Sequence, residues 1–150
     1  MEKMRTSIVI NAPREKVWEV MFTDATYREW TKAFHEGSYF VGDWTEGSKM
    51  LFLGPGEDGQ VEGGMVSQIK ENRRHEFISI EHLGIVANGV EDTTSEVAKK
   101  WAPAYENYTF TEVDGGTEVV VDMDIEAEHR EMFEAMWPKA LATLKVIAER

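Results

Sequence analysis

The chain has 150 residues, of which 42% are apolar and 29% are charged. This length and composition predict one globular domain with a single hydrophobic core, and they exclude a disordered or fibrous protein. The 16 basic and 28 acidic residues give a net charge of −12, which argues against nucleic acid or an anionic membrane as a partner. Because the chain has no cysteine, disulfides, thiol nucleophiles and thiolate metal sites are excluded.

The first 30 residues predict a strand followed by two helices. Residues 4–10 alternate and end in β-branched side chains, which is typical of a strand. Pro13 suits the first position of a helix, and the apolar residues after it recur at the spacing of one helical face. Thr23 or Asp24 can cap a second, short helix that ends near Trp30.

The middle of the chain changes to short alternating runs separated by glycine-rich turns. We predict six strands there, near residues 35–44, 48–53, 60–71, 76–84, 105–113 and 116–125. The turn at residues 54–59 has glycines but no adjacent lysine and serine or threonine, so it indicates a hairpin tip rather than a phosphate-binding loop. Gly63 and Gly64 predict a bulge or a strong bend in the fourth strand of the chain.

Two further segments complete the pattern. Residues 86–103 are too long for a tight turn, and Thr93 followed by Glu96 resembles a capping box, which predicts a short helix on a loop. The last 24 residues have apolar side chains at the three-and-four spacing of a helix. Pro138 lies within this helix and predicts a kink or a restart there.

These elements predict a single α+β domain over residues 1–150, in the order strand, two helices, six strands and a terminal helix. A curved antiparallel sheet of about seven strands, with the long helix across its concave face, buries the apolar side of both.

Four segments, in the same order, resemble a known family. They are Ile10-Asn11-Ala12-Pro13-Arg14-Glu15-Lys16-Val17-Trp18, then Thr23-Asp24 with Trp30, then Gly63-Gly64-Met65-Val66 leading to Asn72-Arg73-Arg74-His75-Glu76-Phe77, and finally Trp137-Pro138-Lys139-Ala140-Leu141-Ala142-Thr143-Leu144-Lys145. Over nearly its whole length the chain resembles the helix-grip fold of the START and Bet v 1 superfamily, in particular the branch similar to the C-terminal domain of the Hsp90 ATPase activator.

The resemblance implies a cavity between the terminal helix and the sheet that binds a small apolar or amphipathic molecule. Its candidate lining, chosen by periodicity, is Phe40, Phe52, Met65, Phe110 and Met123 from the sheet with Phe133, Met136 and Trp137 from the helix. The alternative, that these side chains fill a solid core, stays open because an apolar helical stripe is more often core than pocket.

Polar and loop residues add further candidates. His82 can place a polar group in the cavity, but Glu81 beside it must point to the opposite face of the strand. Trp101 ends the long loop and either plugs the cavity or pins the loop to the body of the domain.

Tyr105 and Asn107 share one face of the following strand. Glu106 and Tyr108 share the other face, and one of the two pairs must point inward. A Tyr105–Asn107 pair could hydrogen-bond a polar end of a ligand, although buried tyrosine hydroxyls more often bind protein partners.

The chemistry favours binding over catalysis. The four histidines lack metal-ligand spacing, and the sequence has no nucleophile elbow or cofactor motif, so we predict no catalytic residue, no metal and no cofactor. Two alternatives remain, a co-chaperone-like domain that interacts with a chaperone and a polyketide cyclase-like enzyme. We further expect a cytoplasmic protein, because no signal peptide or long apolar segment is present, and a monomer or weak homodimer.

Overall fold

The computed structural model describes residues 1–55 and 63–150. Its strands are β1 (Glu2–Ile10), β2 (Tyr39–Val41), β3 (Lys49–Gly54), β4 (Gly63–Arg73), β5 (Phe77–Ala87), β6 (Val90–Asp92), β7 (Ala104–Val113) and β8 (Gly116–Ile125). Its helices are α1 (Arg14–Phe22), α2 (Asp24–Trp30), α3 (Glu96–Lys100) and α4 (Arg130–Ala148), with short 3-10 helices at Thr31–Ala33 and Ala127–His129. None of the described helices is long and apolar enough to cross a membrane.

All strand pairs are antiparallel, and the sheet has the order β1-β8-β7-β5-β4-β3-β2. The short strand β6 pairs with the C-terminal part of β5. The predicted α+β helix-grip fold is confirmed, with eight strands in the described chain where about seven were expected.

The additional strand lies inside the segment that the sequence predicted as irregular. β5 continues to Ala87, and Asn88 and Gly89 both have positive φ, which is the two-residue turn that reverses the chain into β6. The short helix predicted after it is present as α3, but its cap is Ser95 rather than Thr93. The Ser95 hydroxyl oxygen accepts a hydrogen bond of 3.1 Å from the amide of Ala98.

Other boundaries also differ from the predictions. The strand predicted at 35–44 is only three residues long, because Gly37, Gly42 and Trp44 all have positive φ and interrupt the extended backbone. The bulges of β4 and β5 lie after Val66 and Ile69 rather than at the paired glycines. The first three residues of the strand predicted at 60–71, and most of the turn at 54–59, fall outside the described residues.

The terminal helix runs through Pro138 as one helix without a restart. Its buried side packs against β1, α1 and α2 and forms one core with the inward side chains of the sheet. The buried residues of α4 are Trp137, Ala140, Leu141, Leu144, Ile147 and Ala148. The N-terminal part of α4 and the neighbouring strands leave a cavity instead of closing on each other, and this cavity is the candidate site.

Candidate functional site

A cavity of about 450 Å³ lies between the sheet, α2 and the start of α4. Its size falls in the range of small-molecule pockets. Most of its walls are aromatic or aliphatic, and the aromatic side chains are Tyr27, Trp30, Phe34, Phe52, Trp101, Tyr108, Phe133 and Trp137. The interior of this domain is therefore not packed solid at this end of α4.

The helical wall of the cavity is held by contacts between aromatic rings. The ring of Trp137 on α4 lies 4.8 Å from the ring of Phe34 and 6.2 Å from that of Trp30. Tyr27 packs edge-on against Trp30 at 5.5 Å. These ring contacts hold the side chains of the helical wall against one another.

A chain of hydrogen bonds crosses the sheet wall of the cavity. The Ser67 hydroxyl lies 2.6 Å from Nδ1 of His82, and Nε2 of His82 lies 3.1 Å from Oε1 of Glu106. The Tyr108 hydroxyl donates to the other oxygen of Glu106. Strand register brings these residues together, since Ser67 is directly opposite His82 and Glu106 is opposite Ile80, two residues before His82.

The buried hydrogen bonds control the protonation of this network. Burial alone would raise the pKa of Glu106, but the hydrogen bond and charge of His82 and the hydrogen bond from Tyr108 outweigh it, so the pKa lies below the ordinary value. Burial and the negative charge of Glu106 raise the pKa of the Tyr108 hydroxyl well above its ordinary value. The same two causes raise the pKa of Tyr27. The cavity wall thus holds an ionised carboxylate beside two neutral phenols at neutral pH.

The order serine, histidine, glutamate invites comparison with a nucleophilic triad. Ser67 has no exposed surface and does not line the cavity, so its hydroxyl cannot reach a substrate carbonyl. Its hydrogen bond instead fixes the orientation of the His82 ring. The arrangement supports positioning of a polar ligand group by His82 and Glu106, not acyl transfer by Ser67.

The lowered pKa of Glu106 predicts how stability depends on pH. A carboxylate whose pKa is lower in the folded protein than in the unfolded protein stabilises the fold at any pH above its unfolded-state pKa. This stabilisation is lost as the pH falls through the folded-state pKa. We therefore expect the stability difference between wild type and Glu106→Gln to narrow as pH falls through the ordinary glutamate value of about 4.3 and below it. Urea unfolding of both proteins at each pH measures this difference in the free energy of unfolding. The exposed Glu131→Gln variant is the control, and an equal narrowing in that variant contradicts the assignment to Glu106.

The structure brings most of the predicted site residues together. Seven line the cavity, namely Phe52, Met65, His82, Trp101, Met123, Phe133 and Trp137. Trp101 also packs on the ring of His129 at 4.8 Å, so this side chain both contacts the body of the domain and faces the cavity.

Four predicted residues lie elsewhere. Phe40 does not line the cavity and packs against Tyr27 and Trp44, whereas Phe110 is buried in the core beside Trp18. Tyr105 lies on the outer face of the sheet, where its hydroxyl donates to Glu81 at 3.0 Å. Met136 is half-buried on α4 and does not line the cavity.

The inward pair on β7 is Glu106 with Tyr108 rather than Tyr105 with Asn107. The part of the cavity wall that α2 and the following 3-10 helix contribute was also not predicted, because the sequence of a short helix does not indicate which of its side chains border a cavity. The residues that it contributes are Tyr27, Trp30, Thr31 and Phe34.

One group of potential metal ligands occurs among the described residues. Glu126, Glu128 and His129 place their ligand atoms within 4.8 Å of one another at the turn before α4. These are three ligands, fewer than the four of a closed structural zinc site. Glu126 also lines the cavity, so its carboxylate adds negative charge at the cavity wall.

Comparison with known proteins identifies the family. Residues 11–149 match the family described as Activator of Hsp90 ATPase homolog 1-like protein. The chain belongs to this family. Comparison with curated proteins finds no match.

Solved structures show that the Hsp90 ATPase activator homologue-like fold is shared widely. The Aha1 dimer from Colwellia psychrerythraea has a TM-score of 0.71 at 16% identity, over 99% of this chain and 97% of that chain. An AHSA1-like protein from Aeromonas hydrophila has a TM-score of 0.70 at 16% identity, over 97% and 90%. A protein from Cytophaga hutchinsonii has a TM-score of 0.71 at 22% identity, over 99% and 94%. At these identities the likeness shows the fold alone.

Proposed function

We propose that the protein binds a small apolar or amphipathic molecule in the cavity between α4 and the sheet. The observation that carries this proposal is an aromatic cavity of about 450 Å³ with a single hydrogen-bonded polar chain on one wall. Apolar walls supply affinity through burial, whereas a few fixed polar groups orient the ligand.

The segment at residues 86–103 is the proposed closing element of the cavity. Its last part carries Trp101, which lines the cavity and stacks on His129, while Ser95 and Asp92 fix the start of α3 through a hydrogen bond of 2.6 Å. A side chain on such a segment can open the cavity by moving away from His129 without unfolding the sheet.

Filling the cavity tests the proposal. Ala104 lines the cavity and is 4% exposed, so Ala104→Phe places a ring in the ligand space. We expect this variant to weaken binding of the neutral probe 1-naphthalenemethanol about 10-fold or more, measured by tryptophan fluorescence. Thr111→Phe adds the same ring at an exposed position of β7 and should leave binding unchanged.

Met65→Trp gives a second occlusion from β4 if the first variant does not fold. Native mass spectrometry of freshly purified protein then identifies any natural ligand that copurifies. If both variants fold and bind the probe as tightly as the wild type does, the cavity is not the binding site.

Family membership favours a second candidate, a co-chaperone-like domain that meets a basic partner through its acidic surface. This candidate is tested by adding the protein to purified Hsp90 and measuring the rate of ATP hydrolysis. An unchanged rate, together with no complex in size-exclusion chromatography, removes this candidate. The same chromatography distinguishes the expected monomer from a weak homodimer.

A further inference from the structure

The cavity lining carries acidic side chains but no lysine or arginine among the described residues. Glu106, Asp124 and Glu126 line it. The remaining titratable groups of the lining residues, apart from tyrosines, are two histidines, His82 and the exposed His35, and the terminal amine of Met1.

The three carboxylates differ in their partners. Asp124 forms an ion pair with Lys3 and accepts a hydrogen bond of 2.9 Å from the amide of Tyr105, so its charge is compensated. Glu126 forms no ion pair in the described chain. Among the described residues, Glu106 is contacted by His82 and Tyr108 and by no lysine or arginine. Two carboxylates of the cavity wall, Glu106 and Glu126, therefore have no lysine or arginine partner.

Glu106 is prepared to receive a cation. Folding has already removed most of this carboxylate from bulk water, since the Glu106 side chain is 18% exposed, so a positively charged ligand gains its attraction at a reduced cost of dehydrating the protein group. Each carboxylate oxygen accepts one hydrogen bond in the structure and has capacity for another. An anionic ligand head at the same place would be repelled.

The hydrogen bond to Ser67 lets the network adjust to an added positive charge. A hydroxyl can donate or accept, so Ser67 can accept from Nδ1 of a charged His82 ring or donate to Nδ1 of a neutral one. Both contacts of His82 therefore persist when a ligand ammonium group binds beside Glu106. The site can therefore hold one ligand cation without leaving a buried polar atom unpaired.

Aromatic side chains share the cavity wall with this carboxylate. Tyr27, Trp30, Phe52 and Trp137 line the same cavity, and the face of an aromatic ring attracts an ammonium group. Their rings also give an apolar surface to the rest of the ligand. A buried carboxylate within aromatic walls is suited to a cation with an apolar body.

We propose that the natural ligand is a lipophilic amine, a molecule with an apolar body and one protonated nitrogen that binds Glu106. This proposal rests on the proposed function, since it assigns the ligand class of that cavity. It excludes fatty acids, aromatic acids and phosphorylated compounds as the natural ligand.

Three probes with one body and different heads test the proposal. 1-Naphthylmethylamine, 1-naphthalenemethanol and 1-naphthoate are titrated into the protein near neutral pH by calorimetry. We expect the amine to bind about 10-fold or more tightly than the alcohol, and the carboxylate to bind weakest. Glu106→Gln should remove the advantage of the amine over the alcohol.

Asp114→Asn is the matched control because it changes net charge equally at an exposed turn and should preserve the preference for the amine. The preference should also persist from about 0.15 M to about 0.5 M NaCl, since buried pairs are screened less than surface charges. This salt measurement needs no variant. Equal binding of amine and alcohol, or a preference lost in high salt, overturns the amine proposal while cavity binding stands. Failure of all three probes to bind overturns both proposals.

Discussion

Replacing Leu144 with alanine lowers the free energy of unfolding by about 2–5 kcal/mol. Leu144 has no exposed surface and lies in the core formed by α4, the inward side of the sheet and α1. The substitution removes apolar contacts and leaves a void that surrounding side chains can fill only in part. Alanine favours helix, so the loss cannot come from helix propensity.

Val146→Ala provides the control for this prediction on the same helix. Val146 is 64% exposed, and its truncation should change stability by no more than about 0.5 kcal/mol. Chemical denaturation of both variants gives the two values. Similar losses for Leu144→Ala and Val146→Ala would show that α4 does not pack as the structure has it.

The fold could be predicted where one periodicity persists over many residues. Strand β8 begins and ends as predicted, because residues 116–125 alternate and a glycine turn precedes them. The terminal helix was predicted because its apolar spacing continues over five turns. Patterns of this length are difficult to satisfy with any other backbone.

The fold was less predictable where one turn decides the structure. Asn88-Gly89 is a strong hairpin signal, but it lies inside residues 86–103, whose length and mixed composition predict an irregular loop. Trp44 illustrates the opposite error. Its type favours a strand, but its φ of 66° takes it out of the extended conformation, and its ring packs against Phe22, Phe40 and Phe52.

The site could be predicted in part, and its main error has a simple origin. Phe110 was predicted to point inward, and strand alternation then requires Tyr108 and Glu106 to point inward as well. The choice of Tyr105 as a site residue was inconsistent with that requirement. The contact between His82 and Glu106 was beyond sequence reasoning, because it depends on the register of β5 against β7.

The second large effect is expected at Gly64. This residue has a φ of 154°, and a Cβ atom added to it would lie 1.8 Å from the carbonyl oxygen of Phe52. β3 and β4 must therefore separate locally to admit any side chain. We expect Gly64→Ala to lower the free energy of unfolding by about 3 kcal/mol. Because Phe52 and Met65 form the neighbouring pair and line the cavity, probe binding should also weaken.

The adjacent glycine is the matched control. A Cβ atom at Gly63 would approach its nearest neighbour, the carbonyl oxygen of Val86, to 3.4 Å, which is ordinary contact. Gly63→Ala should thus cost less than about 1 kcal/mol. Denaturation and titration with 1-naphthalenemethanol distinguish the two variants. If both glycines tolerate alanine equally, β3 and β4 do not approach each other closely at Gly64, and the wall that these strands give the cavity must be placed differently.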